Sequence, residues 1–337
     1  MTNAQQKKKT GPKDVLMRLG PALALILMFA VFSIVMSEKF LRISNLMNVL
    51  KQASINCMIG AGMLLCLITA GIDLSVGYNC TLSCCLIGVL LTKGVTSPLI
   101  LSPAALAVST LAGFITGTLL TRLDLPHPFV STLGMKNILW GGAQLMTGST
   151  SIGLYNKGID STLALGSATI FEFGFPISFI LVLAVYTLYH VFLNHTSLGR
   201  QIYCVGGNSE AARLSGIRSK NVLTAVYTIS GFMCGVAGVI LAGRVASANP
   251  NSGATYDTDA IAACIIGGAS FSGGKGTIWG TLIGALLIAI IRNGLNLMGT
   301  KNDVQYIVIG AVIIASVTID VVRGKVEARA RKMAAID

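Results

Sequence analysis

Apolar stretches about as long as a bilayer is thick recur along the whole chain, and no other feature constrains its fold as strongly. A helix needs about 20 predominantly apolar residues to cross the hydrocarbon core. Segments of this kind run over residues 20–37, 48–69, 75–92, 98–121, 127–147, 176–193, 223–243, 258–270, 277–298 and 304–322. The eighth is short and Lys136 interrupts the fifth, so the count is about ten, with eight or nine as alternatives. The expected fold is all-α: a polytopic membrane bundle with broken helices. Composition agrees, because only 11% of residues are charged and mean hydropathy is +0.74, whereas about a quarter of a soluble domain is charged. The 38 glycines fit the close approach of membrane helices.

Charge orients the bundle. The run from Pro21 to Met36 is long for a signal peptide and has no A-x-A site after it, so it reads as an uncleaved first span. Ten spans put both termini on the cytoplasmic side. That side then carries sixteen Lys and Arg against seven outside, as the positive-inside rule requires. The chain divides into a basic tail (1–19), a transmembrane domain (20–322, with a loop at 194–222) and a second basic tail (323–337). The net charge of +12 sits in tails and loops without aromatic interleaving, so lipid headgroups fit it and nucleic acid does not. Eight cysteines lie mostly in apolar runs and three histidines are scattered, which gives no metal-ligand spacing.

The loop at 194–222 is the polar exception. Asn208 has the chemistry of an N-cap, residues 209–215 make about two helical turns, and Gly216 stands at the left-handed C′ position. Glu210 in the first turn and Arg213 in the last both complement the helix dipole. A short, capped, charged helix beside a membrane presents a surface to a partner.

Two glycine-rich breaks interrupt the apolar pattern, Gly71–Gly77 and Gly267–Thr277. They resemble each other, Gly71-x-x-Leu74-Ser75-x-Gly77 against Gly268-x-x-Phe271-Ser272-x-Gly274, and Leu86–Leu91 resembles Leu282–Leu287. Internal repeats with broken helices at their interface are a transporter design. This marks Asp73, Ser75, Gly77, Ser270, Ser272 and Gly274 as structural or pathway residues. The second break is not a phosphate loop, since Ala269 and Gly276 stand where a Walker A motif has Gly and Ser or Thr. Asp73 has two readings. As an intramembrane acid it is a proton-relay residue; as the favoured alternative it caps the third span at the cytoplasmic interface. Asp257 and Asp259 are expected at the outer edge, opening the eighth span. No catalytic constellation is present, so nothing points to an enzyme.

The segment Gly206-Gly207-Asn208-Ser209-Glu210-Ala211-Ala212-Arg213-Leu214-Ser215-Gly216-Ile217 resembles the signature loop of bacterial sugar-type ABC importer permeases, the ribose, galactose and xylose class. Gly71–Gly77, Phe129–Gly134 and Asp259–Gly274 resemble the same family in the same order, so the likeness covers roughly residues 40–322. One departure is Trp140, where the family pattern has an arginine before the glycine that is Gly141 here.

The resemblance implies a division of labour. Two permease subunits, identical or related, would form the pathway in the bacterial inner membrane. A separate ATPase, carrying ATP and Mg, would dock on the loop through Gly206, Gly207, Asn208, Glu210, Ala211, Ala212, Arg213 and Gly216. An extracytoplasmic binding protein would deliver a monosaccharide, and this chain would hold no cofactor. A neutral polyol needs hydrogen-bond partners but no counter-charge, so little buried charge is expected. The alternative is an ion-coupled carrier using Asp73.

Overall fold

The fold is taken from a computed structural model, which describes residues 12–123, 125 and 127–333. The ends of the two basic tails, 1–11 with Lys7, Lys8 and Lys9, and 334–337, lie outside the described residues. The chain is helical nearly throughout. The elements are α1 (Pro12–Val35), α2 (Ser37–Phe40), α3 (Ile43–Ile68), α4 (Val76–Thr92), α5 (Pro98–Arg122), α6 (Pro128–Thr147), β1 (Ile152–Gly153), α7 (Asp160–Ser167), β2 (Thr169–Ile170), β3 (Phe175–Pro176), α8 (Ile177–His195), α9 (Ser197–Gly207), α10 (Ser209–Leu214), α11 (Ser219–Val245), β4 (Ser247–Ala248), α12 (Tyr256–Ile266), α13 (Ile278–Leu297) and α14 (Asn302–Met333).

Helices occur in all ten of the segments read as spans. Among the described residues, five (α3, α5, α8, α11 and α13) have the length and apolarity to cross a membrane. The eighth segment departs from expectation. Its helix, α12, has 11 residues, a length of about 16 Å against a hydrocarbon core of about 30 Å. The descent of the chain before α12 is made instead by non-helical turns over 249–255.

The core sits around α3 and α11. Every residue from Ala53 to Ile68 is buried, as a helix that is apolar all round must be. Packing of α11 on α5 is backbone against backbone: Gly113 lies against Tyr227 and Gly231, and Gly231 lies against Ser109. Small residues permit that approach where apolar lipid tails supply no hydrophobic drive for helices to associate. Two small antiparallel pairs tie the connections. Ile152 and Gly153 face Ala248 and Ser247, and Thr169 and Ile170 face Pro176 and Phe175.

Candidate functional site

The polar loop folds as two consecutive helices joined at Asn208. Asn208 caps α10, its side-chain oxygen accepting from the N–H groups of Glu210 (3.1 Å) and Ala211 (3.0 Å). At the other end Gly216 has φ +83°, a conformation that costs glycine least. The Gly216 N–H donates to Arg213 (3.0 Å) and the Ile217 N–H to Ala212 (3.0 Å), which is the two-bond Schellman ending. Arg213 donates twice to Glu210, from Nη2 at 2.6 Å and Nε at 3.0 Å. The guanidinium holds the Glu210 carboxyl below its ordinary range. Both side chains are about two-thirds exposed; Ala211 is exposed too, while Ala212 is buried. Leu214, 75% exposed, adds an apolar tip that sequence reasoning did not single out.

What holds α10 in place is α9, a helix within the stretch expected as loop. Thr196 caps it by accepting from the Gly199 N–H (3.0 Å). Its buried residues Gly199, Ile202, Val205 and Gly206 follow a helical face, and that spacing was the available signal. Gly206 is pressed onto the backbone of Ile68, and a Cβ there would overlap the Ile68 carbonyl oxygen and lie 2.9 Å from the Gly274 nitrogen. Those two atoms are themselves hydrogen-bonded, Gly274 N–H donating to Ile68 O at 2.8 Å. Tyr203 adds a bond to the Gly276 carbonyl (2.8 Å). Gly207, by contrast, has open space beside it.

The second break therefore meets the C-terminal end of α3, where the first break begins, under α9. The first follows a Schellman ending of α3 through Ala70 and Gly71, the second a like ending of α12 through Gly268 and Ala269. Each then has a side-chain oxygen accepting from the N–H two residues on: Asp73 from Ser75 (3.0 Å) and Ser270 from Ser272 (3.3 Å). The capping expectation for Asp73 needs correcting. Ser75, not Asp73, is the residue before α4, and Asp73 is buried to 2% exposure. Its carboxylate also accepts from the Ser75 hydroxyl (2.6 Å) and from Ser230 of α11 (3.2 Å). Gly77 lies away from the second break, against the Gly253 carbonyl.

Charge is buried beside these loops, against expectation. Asp257 and Asp259 open α12, as expected, but are each 1% exposed. Lys136 of α6 pairs with Asp257 at 2.6 Å. Arg292 of α13 grips Asp259 with two bonds, 2.7 and 2.8 Å. In the sequence Lys136 interrupts the fifth apolar segment and Arg292 stands inside the ninth. A lone arginine inside an apolar stretch is itself a sign of a buried partner.

Comparison with known proteins agrees with this architecture. Residues 45–317 match the family described as "Branched-chain amino acid transport system / permease component". The fructose import permease protein of Rhizobium meliloti is 36% identical over 308 residues, covering 89% of this chain and 84% of that one. The ribose import permease protein of Escherichia coli K12 is 36% identical over 311 residues, 91% and 95% of the two chains. The D-allose transport system permease protein of the same strain is 35% identical over 303 residues, 90% and 91%. No solved structure matches. These names favour the importer reading over the ion-coupled carrier. The chain is a multi-pass membrane protein that belongs to this family of transport-system permease components, the non-catalytic transmembrane subunits of ABC importers.

Proposed function

We propose that this chain is the membrane subunit of an ATP-driven importer of a monosaccharide in the bacterial inner membrane. Two permease chains enclose the pathway, and an extracytoplasmic binding protein delivers the sugar. The observation that carries the reading is the match of about nine-tenths of the chain to import permeases named for ribose, fructose and allose. The ATPase, with its ATP and Mg, docks at α10 on the cytoplasmic side, where both termini also lie. Glu210, Arg213 and the exposed Leu214 offer it charge and an apolar anchor, and the two caps make the helix rigid enough to be pushed as a body.

Uptake into proteoliposomes tests the proposal, with permease and ATPase in the membrane, binding protein outside, ATP inside and no ion gradient. Accumulation of labelled ribose or fructose that survives a protonophore and stops when the ATPase is omitted is the expected result. Accumulation that needs an ion gradient and ignores ATP overturns it.

A further inference from the structure

One face of the bundle contradicts its surroundings. Gly88 of α4 lies against Ala248, and Gly77 of the same helix lies against Gly253. Those glycines are separated by about 16 Å along the helix axis. The turns over 249–255 therefore descend beside α4 to membrane depth without helical backbone. Helix α6 runs along the same segment: its Lys136 reaches Asp257, while Trp140 and Gln144 reach Asn251. Non-helical backbone at membrane depth is tolerated only where protein buries it or where it lines a water-filled cavity. This stretch is not fully buried, since Asn249 and Asn251 are exposed, as are Asn137, Trp140 and Gly141 of the facing helix. Hydrocarbon cannot satisfy that set of amides.

The chemistry of the face is specific. Asn251 Oδ1 accepts from Trp140 Nε1 and from Gln144 Nε2, both at 3.1 Å. Among the described residues its own amide NH2 donates to nothing, which leaves two donors for a ligand. The Trp140 ring leans on Tyr78 (5.5 Å between centroids, 31° between planes) and is still 39% exposed. Beneath them Lys136, already paired to Asp257, lies 5.9 Å from the Tyr78 centroid, so the neighbouring charges are matched. A half-exposed indole, free amide donors and no unpaired charge suit a neutral polyol, whose C–H faces lie on aromatic rings and whose hydroxyls accept from amides.

We propose that Trp140 and Asn251, held by Gln144 and Tyr78, form a sugar-contact site on the water-filled wall of the pathway. The inference rests on the importer reading above. Two measurements test it in the reconstituted complex of permease, ATPase and binding protein. The first uses a Cys204→Ser background, because Cys204 is the exposed native thiol among eight. Gly141→Cys is placed where a side chain meets open space, and Leu111→Cys on α5, 56% exposed and apolar, is the control. A charged, membrane-impermeant thiol reagent is expected to label position 141 and not 111. Equal resistance at both positions means the face is not wet, and overturns the proposal whatever the cargo.

The second measurement is labelled ribose or fructose accumulated per ATP hydrolysed. Trp140→Ala and Asn251→Ala are expected to lower that ratio about five- to tenfold, the scale of one lost ligand hydrogen bond or ring contact. Binding-protein-stimulated hydrolysis stays near wild type, and Trp140→Phe keeps most of the ratio. A purely structural role would lower uptake and hydrolysis together. An unchanged ratio in a transporting complex overturns the contact site alone. A wild-type complex that hydrolyses ATP yet accumulates no monosaccharide overturns the cargo reading with it.

Discussion

The ion pair on α10 and the two on α12 have almost the same geometry and opposite meanings. Glu210 and Arg213 meet at 2.6 Å with about two-thirds of each side chain exposed. Asp259 and Arg292 meet at 2.7 Å, with 1% and 13% exposed, and Asp257 and Lys136 at 2.6 Å, with 2% and 25%. In water, salt screens such a pair and the solvent replaces either partner readily. In the interior each charge has given up its hydration, so the partner becomes obligatory. The α10 pair is thus available to another protein, whereas the α12 pairs belong to the fold. Stability and transport should consequently rank substitutions in opposite orders.

Arg292→Ala sets the largest expected loss of stability. It strands the Asp259 carboxylate, and breaking a buried pair from one side costs about 3–5 kcal/mol. Thermal unfolding in detergent reads this, and the neutral double variant Asp259→Asn/Arg292→Gln should return most of it. A single variant as stable as wild type would erase the contrast with α10. Lys136→Ala should cost less, about 1–3 kcal/mol. The lysine is a quarter exposed, and Asp257 keeps a bond from the Thr258 N–H (2.9 Å).

Asp73 lies between the extremes, buried but held by hydroxyls and one N–H instead of a cation. Asp73→Ala should cost about 1–3 kcal/mol, because it leaves the buried Ser75 N–H without its acceptor. Asp73→Asn keeps an acceptor and should cost less while retaining ATP-driven uptake. A stable Asn variant that hydrolyses ATP without moving sugar would show that the charge itself serves transport.

Glu210→Lys should leave the thermal midpoint where it was while ATPase association and uptake fall. Wild-type association in that variant would remove α10 from the coupling role. The pH dependence sharpens the point. Because Arg213 lowers the folded pKa of Glu210, any stability from the pair is complete above the unfolded carboxylate value. It is lost only as pH falls through the lowered folded value. Permease–ATPase binding should therefore be flat near neutrality, and a loss there would point to another group.

The same contrast explains what the sequence made legible. Capping is local chemistry, so Asn208, Glu210, Arg213 and Gly216 could be placed within a residue of where they stand. Apolar run length likewise located the helices, although α12 is too short to cross the membrane by itself. The buried pairs join residues far apart in the chain, Lys136 to Asp257 and Asp259 to Arg292. No local pattern names such partners. Helix α9 was missed for another reason: its apolar face is only Leu198, Ile202 and Val205, diluted by glycines and an arginine. Asp73 was placed in the right turn, but its environment depends on α11, which only the folded chain brings near.

The contact at Gly206 has a kinematic consequence. Its backbone lies on the hydrogen bond between Ile68 and Gly274, which joins the last residue of α3, just ahead of the first break, to the second break. There is no side chain between them to bend, and backbone atoms in van der Waals contact transmit displacement with little slack. A displacement of α9 would therefore be felt both at the end of α3 and in the second break. Two segments far apart in sequence thus rest on one shared contact, and a substitution that puts a side chain at 206 would disturb both together.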